Sequence, residues 1–385
     1  MPWKLTKISK LINNPPVYFL DIRVIMQFKQ MTNTLMLATI LALSMTGTVF
    51  SGDVTVVGSI KQTLKQSNTN SSAQYGVINK DANEKVVQLL RVELSDEAKS
   101  NLINQSQVLA HPKTTLKVDA SAFPASVQLG MGNVPVLDQG IHGTCVTFAV
   151  TGVLDAALAK GDYISQVCHL QLGNYLEKLG YGYSGWDGSN ADQVLSQIQQ
   201  YGIVNKTKQR AVGCGGYKQY PAYLPHNTTL AMEPAQYIAL RELIYGNQVN
   251  WFNVLQENNP ELTLNGVKQA LNAGERLVFG VLLPRTELGL AGALAKHKAI
   301  NLPDTWVITP EIINGLESIE AAHEMIITGY DDKAVAIDNK GKKHQGLLKI
   351  RNSWGRFAGD AGEFYMSYDY FKLLVMEVSR ISPAH

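Results

Sequence analysis

Gln139-Gly140-Ile141-His142-Gly143-Thr144-Cys145 runs without a break into the apolar segment Val146 to Leu158, and the other parts of the chain are best placed around it. A glycine-containing turn before a long apolar run marks the start of a buried helix, with Cys145 in its first turn. There, unpaired backbone N–H groups and the positive end of the helix dipole favour the thiolate. Six residues upstream, the Gln139 amide is placed to donate to an oxyanion formed when that sulfur attacks a carbonyl. A single cysteine at a helix start is more often only a small buried hydrophobe, so the argument depends on what lies downstream.

Two downstream runs supply the remaining parts. His323 lies in Ala322-His323-Glu324-Met325-Ile326-Ile327-Thr328-Gly329-Tyr330, and Asn352 in Lys349-Ile350-Arg351-Asn352-Ser353-Trp354-Gly355. In this order the motifs resemble the papain-like cysteine peptidases, whose pattern is a Gln, Gly-x-Cys-Gly-x-Cys, a His before an apolar strand and Gly-Tyr, then Asn-Ser-Trp-Gly. Gln139, Cys145, His323 and Asn352 match, with Trp354 beside the Asn, over roughly residues 120 to 372. The resemblance implies an α+β fold of two lobes, a helical lobe packed against an antiparallel β-sheet lobe with the cleft between them. It further implies a Cys145 and His323 pair, oriented by Asn352 and shielded by Trp354, with Gln139 and the Cys145 N–H stabilising the oxyanion. No metal or other cofactor is expected. Val146, Ala322 and Ala358 depart from the family pattern, which puts substrate preference in doubt and removes no catalytic atom.

The chain has 385 residues, 45% hydrophobic and 17% charged, with a formal net charge of +2. That suffices for one large domain or two lobes and argues for no nucleic-acid partner. Residues 1–51 read as an N-terminal extension and signal peptide: Lys29 is the positive region, Leu35 to Met45 the apolar region, and Val49-Phe50-Ser51 the cleavage site. The apolar run is too short and too interrupted for a comfortable membrane span. The expectation is a secreted or periplasmic protein, a divergent bacterial member of the family, with no stable membrane anchor after cleavage.

Residues 52–119 are polar and resemble a propeptide acting in cis, although the long helical signature of cathepsin propeptides is missing. Lys61 to Gln74 reads as a flexible loop, Lys85 to Val92 as a strand, and Ser95 as the cap of a short helix. An independent small domain is the alternative. Residues 120–385 are the peptidase-like domain, opening near Phe123-Pro124-Ala125-Ser126-Val127.

With Cys145 as the free thiol, Cys168 and Cys214 are left to pair in an oxidising compartment, and the resemblance implies a bridge at about these places. A second family bridge cannot form, because His142 stands three residues before Cys145. Trp186-Asp187-Gly188-Ser189 takes the place of a turn that holds an extended peptide by its main chain, which makes Gly188 and Ser189 candidate substrate contacts. A plain surface turn is equally compatible. Residues 226–262 match nothing in the family and read as a helical pair, starting at Pro234 and continuing through Trp251 and Phe252.

Ala191 to Tyr201 and Leu264 to Asn272 read as helices, and Leu277 to Leu283 as a buried strand. Met325 to Thr328, Ala334 to Ile337, Leu347 to Arg351 and Glu363 to Met366 read as strands of an antiparallel sheet, with a turn at Asp331-Asp332. Glu324 either lines the pocket for the second residue upstream of the cut, or turns toward solvent or Arg351. The expected function is hydrolysis of protein or peptide substrates by a thiol mechanism from a zymogen. An inactive binding protein on the same fold, and an acyltransferase or amidase using the same residues, are the alternatives.

Overall fold

The computed structural model describes residues 53–65, 84–110, 123–256 and 259–384. The signal-peptide region, the expected maturation site near Ala120, and residues 66–74 of the expected loop lie outside the described residues.

Val54–Lys65 (β1) and Glu84–Leu94 (β2) pair antiparallel along their whole lengths. Val56, Leu64, Val87, Leu89, Leu90 and Val92 of this hairpin are buried. Ser95 caps the helix Asp96–Ala110 (α1) by accepting the Ala98 N–H at 3.0 Å. Ser126–Gln128 (β3) follows.

The helical lobe consists chiefly of Cys145–Leu158 (α2), Gln166–Lys178 (α3) and Ala191–Tyr201 (α4). Because α2 is apolar on every side, it is covered on every side and is buried from Cys145 through Asp155. Gly152 lets it approach the sheet; a Cβ there would lie 3.1 Å from Ile326 Cδ1. Ser165 and Asn190 start α3 and α4 by accepting the N–H groups of Cys168 and Gln193.

The sheet lobe comprises Val249–Asn253 (β4), the helix Pro260–Asn272 (α5), then Arg276–Leu282 (β5), Ala295–Lys296 (β6), Thr305–Trp306 (β7), Ala321–Asp338 (β8), Lys343–Arg351 (β9), Glu363–Ser367 (β10) and Val375–Pro383 (β11). The strand β8 is its axis. From Ala321 to Tyr330 every residue is buried, as a strand covered on both faces requires. It pairs with β5 and β9 on its two sides, and with β2, β3 and β6 along its length. β8, β9, β10, β7 and β6 close on one another as a small ring of strands, while β5, β11 and β4 extend the sheet the other way. The fold is α+β, a helical lobe packed on a mainly antiparallel sheet lobe.

Several expectations need correction. Lys61 to Lys65 is strand, because pairing with β2 and burial of Leu64 override a polar composition. Asp331-Asp332 is no turn: β8 continues through a register irregularity in which Asp331 Oδ1 accepts the Lys333 and Ala334 N–H groups. The 226–262 segment is not a helical pair. A short helix, Pro234–Leu240, is followed by β4, whose Trp251 lies opposite Ile381 of β11 at the sheet edge.

Cys168 and Cys214 are joined, with a Cα–Cα distance of 5.0 Å, tying α3 to the loop beyond the short helix Lys206–Val212. The bridge closes a sequence separation of 46, so chain entropy makes it worth about 4 kcal/mol. Non-reducing peptide mapping should recover the linked pair, and Cys168→Ala should lower the melting midpoint accordingly. Alkylation of both thiols without reductant would remove the bridge.

Candidate active site

Cys145 opens α2, and Thr144 before it supplies no side-chain cap. The first-turn N–H groups therefore have no side-chain cap, and the backbone N–H groups of Cys145, of Val146 and, on β8, of Glu324 pull the thiol toward ionisation. The thiol thus feels the β8 backbone at Glu324, the residue after His323. The thiol is fully buried and free of any disulfide. Burial pushes it up to about 12, against the pull of those N–H groups. The expectation of an acidic thiol is corrected: the dipole and the N–H groups are present, but desolvation outweighs them.

His323 shares the dry environment. Its Nε2 lies 2.8 Å from Asn352 Oδ1, its ring stacks on Trp354 at 4.7 Å between centroids, and Nδ1 has no hydrogen-bond partner among the described residues. Burial pushes the imidazole down to about 4, against the Asn352 bond. Burial thus shifts thiol and imidazole in opposite directions, each toward its neutral form. Asn352 is anchored by the Ser353 N–H, which donates to the same Oδ1 at 2.7 Å.

Ser353 also orients Gln139. Its hydroxyl donates to Gln139 Oε1 at 2.9 Å, which leaves Nε2 as the donor side. Nε2 donates to the His142 carbonyl and to the Gln88 carbonyl of β2, each at 2.9 Å. A main-chain carbonyl of the N-terminal hairpin thus occupies the amide expected to receive an oxyanion. The loop before Cys145 is further held by Tyr220, whose hydroxyl donates to the Gln139 carbonyl at 2.7 Å, and by His142, whose Nε2 bonds the Pro221 carbonyl at 2.8 Å.

The hairpin touches both lobes. β2 pairs Leu90 and Arg91 with Ala322 and Ala321, next to His323. β1 lies along Asp187 and Gly188; with φ of +118°, Gly188 lies so close that an added Cβ would be 2.8 Å from the Gly58 carbonyl oxygen. Ser189 is buried beside it.

Glu324 follows neither expected course fully. Its side chain is completely buried, and Arg351 is taken by Glu363. Glu324 faces Glu377 of β11, opposite Gly280, where a Cβ would lie 2.7 Å from Glu324 Oε2 and 3.0 Å from Glu377 Oε1. Glu377 accepts the Ala191 N–H at the start of α4. Burial and mutual repulsion hold Glu324 well above the carboxylate range, and burial takes Glu377 up to about 8.

Residues 239–380 match the family model of the Peptidase C1-like family. That span contains His323 and Asn352; Gln139 and Cys145 lie before it. No curated protein matches the sequence. Similar solved structures include procathepsin L 3 of the Tenebrio molitor larval midgut, 17% identical with a TM-score of 0.42 over 69% of this chain and 72% of that one. Xylellain, a cysteine protease from Xylella fastidiosa, is 18% identical with a TM-score of 0.44 over 70% and 90%. Bromelain from Ananas comosus, in complex with the E64 inhibitor, is 16% identical with a TM-score of 0.41 over 68% and 98%.

Sequence reasoning missed Gln88, Tyr220 and Glu377. For Glu377 a signal existed: a lone carboxylate in the apolar run Val375-Met376-Glu377-Val378 has to find a buried partner. Gln88 carried none: its carbonyl meets the Gln139 amide and its own amide donates to the Ile141 carbonyl at 2.7 Å, contacts across some fifty residues that no local pattern marks.

The buried groups set opposite pH limbs. Glu377 is raised in the folded chain, so its contribution is present below its ordinary range and lost as pH rises through about 8. His323 is depressed, so its contribution is lost as pH falls from about 6.5 toward about 4. Glu377→Gln should flatten the fall in stability between about pH 5 and 8 without abolishing it, because Asp155 is also raised, to about 7. It should leave the acid limb in place. Denaturation midpoints of the two proteins across pH check this; parallel curves would contradict it.

Proposed function

We propose that this chain is an exported cysteine protease, closed by its own N-terminal hairpin until that hairpin leaves. The observation that carries the reading is the His323 to Asn352 bond, covered by Trp354, beside a buried Cys145 whose neighbouring amide donor holds a main-chain carbonyl. Residues 52–119 are then the cis-acting propeptide. Export is supported by the Cys168 and Cys214 bridge and by the apolar segment before Ser51.

Hairpin departure admits water to the cleft, and desolvation of both groups relaxes. The thiol gives its proton to His323 Nδ1, the one ring nitrogen not engaged by Asn352. Sulfur attacks the substrate carbonyl, and the oxyanion takes the place of the Gln88 carbonyl at the Gln139 amide, with the Cys145 N–H as second donor. His323 passes its proton to the leaving amine, and the C–N bond breaks to leave a thioester. Water, deprotonated by His323, then releases the acid and returns the proton to sulfur. Gly188, Ser189 and Ala322 hold the acyl side of an extended peptide where β1 and β2 now lie. Glu324 and Glu377 form the floor between those edges.

The test is digestion of a mixed peptide pool by the chain before and after hairpin release. Release should raise the rate, and Cys145→Ala should lower it about ten-thousand-fold while keeping the melting midpoint. In the closed chain iodoacetamide should modify Cys145 slowly, and quickly after release. Equal rates before and after release would overturn the autoinhibited zymogen, and residual activity of about a tenth in Cys145→Ala would overturn the nucleophile.

A further inference from the structure

A second built site lies where β2 meets Asp138, the residue before Gln139. Lys85 of β2 enters it with its side chain only 7% exposed. Nζ donates to Asp138 Oδ1 at 2.5 Å and to the Trp354 carbonyl at 2.9 Å, and lies 5.7 Å from the Tyr223 ring centroid. Asp138 is preset for this: the Gly140 N–H donates to Oδ1 at 2.9 Å and the Tyr223 hydroxyl to Oδ2 at 2.6 Å. Gly355 leaves the room, since a Cβ there would lie 2.9 Å from Asp138 Oδ2 and 3.4 Å from Lys85 Nζ. A carboxylate, a carbonyl and a ring face together suit a primary ammonium.

The position of this site relative to the chemistry follows from the strand. From Lys85, β2 leads to Gln88 at the Gln139 amide, then to Leu90 and Arg91 beside Ala322 and Ala321. Three extended residues span about 10 Å. With Gly188, Ser189 and Ala322 on the acyl side, as proposed above, the Lys85 site lies on the opposite side of Gln88, where the leaving amine departs. Once the hairpin leaves, Asp138 keeps its Gly140 and Tyr223 donors and loses its cation.

We propose that Asp138, the Trp354 carbonyl and the Tyr223 ring form a recognition site for a substrate lysine, two or three residues to the amine side of the bond cut, and that Lys85 occupies it by imitation. The inference rests on the protease reading above. Lysine suits it better than arginine, because a compact ammonium meets one carboxylate oxygen and one carbonyl, with no second oxygen presented to a planar fork.

The site is read first in the full chain, without turnover. Lys85→Ala leaves Asp138 without its cation. Propylammonium should raise the melting temperature of that variant, and tetramethylammonium, which has no N–H, should not. The Lys85→Ala/Asp138→Asn double variant should respond to neither. The substrate claim is read with the activated chain on paired peptides that carry Lys or Ala at the second or third residue after the cut. Lysine should raise kcat/KM about tenfold, and Asp138→Asn should bring the ratio near one. Absence of the propylammonium response, or equal rates on the paired peptides, overturns the proposal. Cleavage of neither peptide overturns the protease reading instead, and the ammonium response of the full chain then decides the site by itself.

Discussion

The exclusion of water where the start of α2 meets β8 is the constraint on which the other features depend. Cys145 and His323 are both fully buried there, and charge separation between them is unfavourable without solvent or compensating dipoles. Each is therefore held in its neutral form, the thiol by a raised pKa and the imidazole by a depressed one. Groups that could stabilise charge stand on the α2 backbone and at Gln139, while burial shifts both Cys145 and His323 toward their neutral forms. What the hairpin visibly supplies there is a main-chain carbonyl to the Gln139 amide.

The carboxyl pair fits the same constraint. Glu324 and Glu377 sit beside the thiol, and the Glu377 charge would push Cys145 further from ionisation. Holding protons on the pair spares the site two negative charges. Glu324 had to face inward because β8 is buried on both sides from Ala321 to Tyr330, so neither of its faces offers a route to solvent. Its partner came from β11 across β5, at the one position where Gly280 leaves space.

Legibility in the sequence followed locality. Gln139, Cys145, His323 and Asn352 each sit in a short run whose own pattern marks it, and the structure brings His323 to Asn352 as those runs imply. The Cys168 and Cys214 pairing was legible only with the resemblance, which sets Cys145 apart as the free thiol and implies a bridge at the other two. Periodicity located α4 and α5, and most of β5, β9 and β10, within a few residues. What was not legible is non-local. Strand pairing of β4 with β11, the uninterrupted run of β8 past Asp331, and the insertion of β1 and β2 between the lobes depend on partners more than a hundred residues away or on a side chain repairing its own bulge. Lys85 and Asp138 read as ordinary polar residues until that insertion placed them together.

The hairpin is bound far more extensively to itself than to the strand that bears His323. β1 and β2 are laddered from Val54 with Leu94 to Lys65 with Glu84, whereas β2 meets β8 only at Leu90 and Arg91, with one further bond from the Val92 N–H to the Glu320 carbonyl. A single nick between Lys65 and Glu84 would therefore leave both strands seated, clasped by their mutual hydrogen bonds. On the proposed reading, release lifts the two strands out together, as one stiff ribbon whose grip on the sheet is short, and the chain connecting α1 to β3 is the tether that such a departure must either stretch or sever.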